Sequence, residues 1–238
     1  MSKSKINARS IKENRKKIFK LDAEVMTNKA NAYLSRSMIE ENRMMILSNY
    51  SAAFLGNRQL ANSNTDEVFD NRKAILESYQ TKNDVEENYI NAQKNKASLD
   101  FLKHRSDLNS ALLKVSEEMA AVNGKLIDIN KKIMDANQSI VDFNAKQIAT
   151  NKALISGALK PQSAKPGSNA KIIKSNKSAM ASLEKNVKNN RKRMNDLINI
   201  SEKNAGALMQ NKVQIKQRRK TALTNREKIL ANKSLIKF

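Results

Sequence analysis

Ile, Val, Leu or Met recurs every seventh residue along most of this chain, and three residues after it stands Asn. The clearest run is Ile127-x-x-Asn130, Met134-x-x-Asn137, Val141-x-x-Asn144 and Ile148-x-x-Asn151. The pattern recurs as Ile11-x-x-Asn14, Val25-x-x-Asn28, Ile39-x-x-Asn42 and Ile46-x-x-Asn49, and again from Ile173-x-x-Asn176 to Ile229-x-x-Asn232. Sustained heptads with an apolar a position predict long helices whose seams other helices must cover. No strand-like alternation competes with this period. With one frame per segment, 23 of the 31 Asn fall on d. Chance placement over seven positions would give about four or five. A biased composition explains abundance but not phase.

The expected fold is therefore all-α. It comprises long coiled-coil helices, a helical hairpin of 85–155 against 173–236, and a shorter N-terminal helical segment. The reason for the hairpin is 156–172, which holds both prolines, Pro161 and Pro166, with Gly157 and Gly167. No helix runs through such a stretch, and seams of similar length lie on either side of it. Residues 1–55 read as an N-terminal helix with a basic start. Residues 56–84 read as a broken junction, with breaks at Gly56-Asn57 and at 62–65, where Thr65 resembles an N-cap. The d frame shifts by three residues between Ser78 and Asn88, which means a stammer or a short break near 81–84. Residues 173–238 read as a basic C-terminal coiled-coil helix. Seven of the ten aromatics lie between Tyr33 and Phe101, so the most globular packing is expected there. The last stretch has no aromatic before Phe238.

A polar d position costs stability but restricts register and partner number. The register candidates are Asn14, Asn28, Asn42, Asn49, Asn130, Asn137, Asn144, Asn151, Asn176, Asn190, Asn204, Asn211, Asn225 and Asn232. A carboxamide carries both donors and acceptors. In parallel helices in register, d meets d, and Asn layers satisfy one another or enclose an ion. In an antiparallel hairpin, Asn meets Ile or Val and needs water, backbone or a third helix. The Ile/Val-x-x-Asn heptad resembles the Asn-at-d segments in the stalks of trimeric autotransporter adhesins. That resemblance covers one short motif repeated along the chain; there the Asn layers of a parallel trimer hold anions, and what it implies here is a polar core layer. The Thr that commonly follows Asn there is mostly Arg, Lys or Ala here, so the polar layer carries over and family membership does not.

Charge adds a second expectation. The net charge is +22, with +7 in residues 1–20, +16 in 160–238 and −1 between them. Basic blocks of this kind suggest an acidic partner, nucleic acid or acidic protein among them, or a solvated face. The candidate contacts are Arg191, Lys192, Arg193, Lys216, Arg218, Arg219 and Lys220.

Chemistry is otherwise sparse. There is no Cys and one His, His104, and no phosphate loop or nucleophile elbow. No enzyme activity, cofactor or metal is expected. No apolar run reaches the length of a membrane helix, and the N-terminus lacks a signal-peptide stretch. An intracellular, cytoplasmic protein is expected. The leading expectation is a structural, scaffolding coiled coil that self-associates into fibres or an extended assembly. A polyanion-binding architectural protein is the alternative, and a helical module on anionic membranes is the third reading.

Overall fold

A computed structural model describes residues 2–236. Lys237, Met1 and Phe238, the late aromatic noted above, lie outside the described residues. The described residues contain no strand, and the all-α class holds. Four α-helices carry the chain: α1 (Lys3–Tyr50), α2 (Arg58–Glu77), α3 (Asp84–Ile155) and α4 (Pro166–Leu235).

Helix ends follow local chemistry. The Ser2 hydroxyl accepts from Lys5 N at the start of α1. Asn83, in extended backbone, accepts from Glu86 N at 2.9 Å, and Glu86 reaches back to Lys82 N at 2.8 Å. This reciprocal arrangement satisfies free N–H groups, and Asp84, Glu86 and Glu87 complement the helix dipole. The α3 terminus is a Schellman turn. Gly157 takes φ +83°, its N–H reaches Leu154 O, and Ala158 N reaches Ala153 O. Pro166 does not extend the linker; it is the first residue of α4, where a missing N–H costs nothing. The connection thus ends at Lys165, seven residues before the expected 172.

The expected break at Gly56-Asn57 is not an interruption. Ser51–Asn57 forms a π-helical segment that joins α1 to α2 without a gap. Tyr50 stacks on Phe54 there with centroids 5.2 Å apart, and Arg58 lies over Phe54 at 4.2 Å. The helix also continues through 62–65, where Thr65 Oγ1 donates to Ala61 O instead of capping a start. The real break is 78–83, which resolves the frame shift as an interruption and not a stammer.

Contacts divide the chain into two units. One holds the residues up to Thr65 with Gln162–Leu230, and the other is built on Asp66–Pro161. In the second unit, α2 and the start of α3 run antiparallel. Phe69 stacks on Phe101 at 4.4 Å, Arg72 pairs with Asp100 at 3.6 Å, and Arg105 bonds Asp66. Ala97 is buried beside them. Two of the seven clustered aromatics therefore brace a helical hairpin, while Tyr79 and Tyr89 stay exposed.

In the first unit, α1 and α4 run parallel. The a row of α4 is covered by α1 there, and Ile173, Met180 and Val187 are buried along it. The a row of 85–155 is open along its whole length; Val85 is 77% exposed, Ile127 68% and Ile148 67%. A heptad stripe specifies which face is covered but not by which helix.

Candidate functional site

The α1–α4 contact is a ladder of carboxamides on backbone. Asn7 Nδ2 donates to Pro166 O at 3.0 Å, Asn14 to Ile173 O at 3.4 Å and Asn28 to Val187 O at 2.9 Å. Asn42 donates to Ser201 O at 2.8 Å and Asn49 to Leu208 O at 2.9 Å. Every one of these pairs is separated by 159 residues, which only parallel helices allow. Asn57 to Ile215 O and Asn64 to Ala222 O continue the ladder at 2.8 Å with a separation of 158.

The change from 159 to 158 falls across the π segment. Donors Asn49 and Asn57 are eight residues apart, while acceptors Leu208 and Ile215 are seven apart. The wider π turn absorbs the extra residue in α1 and returns the next Asn to the seam. Gly56 sits at this point, and a Cβ there would meet Arg219 Nη1 at 3.2 Å.

The chemistry of the ladder differs from the Asn layers expected. A donor Asn at d of α1 meets the a row of α4, where each helical carbonyl still has a lone pair to accept a second bond. A side chain this short reaches a neighbouring backbone only when the axes lie close, near the roughly 8 Å end of helix packing distances. Where the ladder carries Leu21 instead of Asn, the residue 159 further on is Met180, and both are buried. Ser35 takes another rung position. Asn14, Asn28 and Asn42 are buried, and Asn49 is half-buried. The acceptors have no side-chain signature, so sequence reasoning had no means of naming them. Asn7, Asn57 and Asn64 were missing from the register candidates although they share the d phase.

Charge plays a smaller part. Lys17 Nζ lies 2.7 Å from Glu184 Oε2, and Lys188 lies 3.0 Å from the other oxygen. The Lys17 hydrogen bond, then that of Lys188, lowers the Glu184 pKa to about 2. Arg191 Nε donates to Asn28 Oδ1 at 3.3 Å, so one basic candidate serves the ladder. Lys192, Arg193, Lys216, Arg218, Arg219 and Lys220 are exposed. Two basic helices thus lie side by side, joined mainly by a neutral carboxamide row and a line of apolar residues.

The remaining candidates are not brought to a seam. Asn176, Asn190, Asn204, Asn211, Asn225 and Asn232 on α4 are exposed, and so are Asn130, Asn137, Asn144 and Asn151 on α3. The pairing uses d of α1 and a of α4. It leaves the a row of α1 and the d row of α4 open along a groove lined by Val25, Ala32, Asn190, Met194 and Leu197. Among the described residues no cluster of acidic, His or Cys side chains is arranged to hold a metal, and no helix is long and apolar enough to cross a membrane. Comparison with protein-family models, with curated proteins and with solved structures finds no match.

Proposed function

We propose that this chain is a structural protein that self-associates through its coiled-coil seams into fibres or another extended assembly, and that it performs no catalysis. The observation that carries this reading is the one-sided use of each helix. The α1–α4 ladder consumes one donor row and one acceptor row. A second acceptor row on α1, with Ile11, Ile18 and Ile39 about half exposed, and a second donor row on α4 stay unpartnered. A contact in which one face meets a different face does not close on itself within a pair, and this is how rings and filaments grow. Long apolar stripes left open on a helix mark interaction surfaces.

Sedimentation of the purified chain over a range of concentrations, with electron microscopy of the same samples, tests this. The expected result is concentration-dependent mass growth and elongated particles. A monomer at every concentration and at low and moderate salt overturns the reading.

Polyanion binding is the second reading. It is supported by six of the seven basic candidates being exposed on α4. They recur on several helix faces, which suits a backbone-neutralising stripe and not base readout.

A further inference from the structure

We propose that copies of this chain join through residues 113–155 of α3, side by side, parallel and in register, the occupant of that face being the same segment of a second copy. This rests on the self-association reading and names its surface.

The face is broad and uncovered. Around a helix, positions c, g, d and a are consecutive, spanning an arc of about 160°. In this segment they hold Ile129 and Phe143 at c, Ile133 and Ile140 at g, and Met134 and Val141 at a, with Asn at d in their midst. Met134 is 69% exposed and Phe143 61%. The a row alone presents on the order of several hundred Å² of apolar surface, more than an isolated helix keeps in water without a partner. The opposite side carries Asp128, Asp135 and Asp142 at b and Lys125, Lys132 and Lys146 at f, so the segment has one solvent face and one contact face.

The α1–α4 ladder supplies the rule for what fits there. Helical side chains lean toward the N-terminus and carbonyls point toward the C-terminus. A d-position Asn therefore drops back to meet the a carbonyl of a parallel neighbour. Beside an antiparallel neighbour the carbonyl points away from the approaching amide. The ladder also fixes stagger. Asn14 stands three residues after Ile11, and its acceptor Ile173 is the a residue of the matching layer in α4. Between identical helices the same rule sends Asn130 to the second copy's Ile127 and Asn144 to the second copy's Val141, with no offset. Residues 113–155 carry both halves of the ladder, donor and acceptor, so the segment is complementary to itself. Within its own unit, the helix packed against α3 is α2, which is antiparallel to it.

Charge selects this segment over the others. Residues 113–155 hold six Lys against five carboxylates, a net of +1. Residues 166–235 hold 17 basic groups against four acidic ones, a net of +13. Two copies of α4 side by side repel, and two copies of this segment do not.

The chain has no Cys, so single thiols report position cleanly. Leu113→Cys and Ile155→Cys stand at opposite ends of the segment, and Met134→Cys at its centre. With a short thiol-to-thiol cross-linker on the full chain, Leu113→Cys alone should give covalent dimers, as should Met134→Cys alone. A mixture of Leu113→Cys and Ile155→Cys should give no hetero-linked product. Hetero-linkage of 113 to 155 without self-linkage means antiparallel copies and overturns the inference. No linkage in α3, with Val25→Cys linking to Leu183→Cys between chains, also overturns it while self-association stands. A chain that sediments as a monomer throughout overturns both readings.

Discussion

The π segment makes a sharp test, because deleting a residue from a long helix ordinarily ruins its register. Deleting Ala53, which is exposed inside Ser51–Asn57, brings Asn49 and Asn57 seven residues apart. That matches the spacing of their acceptors Leu208 and Ile215. The rungs on both sides of the segment then stay in the seam with an uninterrupted α-helix. Deleting Ala32, also exposed but in the regular part of α1, turns everything before it by about 100° relative to everything after. The rungs at Asn7, Asn14 and Asn28 leave the seam. At about 1 kcal/mol for each hydrogen bond, the loss is about 3 kcal/mol. Leu21, only 3% exposed, leaves with them and adds about 2 kcal/mol of lost burial. For a chain of this size each kcal/mol lowers Tm by about 2–4 °C, so the Ala32 deletion should cost about 10–20 °C. The Ala53 deletion should shift Tm by less than about 4 °C, in either direction, which corresponds to about 1 kcal/mol. Thermal unfolding followed by circular dichroism, at one protein concentration, measures both. Equal losses, or a larger loss from the Ala53 deletion, refute the reasoning that the π turn exists to absorb one surplus residue.

Two further outcomes are expected. Glu184 has its pKa lowered from 4.5 to about 2 by the Lys17 hydrogen bond first and Lys188 second. Its contribution is therefore present above pH 4.5 and is lost as pH falls through about 2. The Tm difference between the natural chain and Glu184→Gln should shrink across that window, and a difference that stays constant down to pH 2 contradicts it. Replacing Arg191, Lys192, Arg193, Lys216, Arg218, Arg219 and Lys220 together by Gln should abolish any salt-sensitive binding to duplex DNA and keep helicity largely intact. Retained binding would place the polyanion contact elsewhere on the chain.

The sequence by itself determined the helical class, the apolar stripe along each helix and the helix ends at Asn83 and Gly157. Period, capping residues and Gly157 act locally, over a few residues, and each leaves a local signature. The clustering of Asn on d likewise showed that a polar row runs along the apolar stripe. Only the tertiary structure decided which helix covers which. The stripe on 173–229 is equally satisfied by any helix of matching period, and the turn at 156–165 made the neighbouring 85–155 the simpler choice. The partner that covers it is α1, more than 150 residues away in sequence, and the direction is parallel. The Asn acceptors were illegible for a related reason, since they are main-chain carbonyls common to every residue. The surplus residue near Gly56 read as a break because one strand of a seam shows an interruption of its own period. The uninterrupted heptads of the helix beside it are what hold the chain helical there, and that constraint exists only once the two lie together.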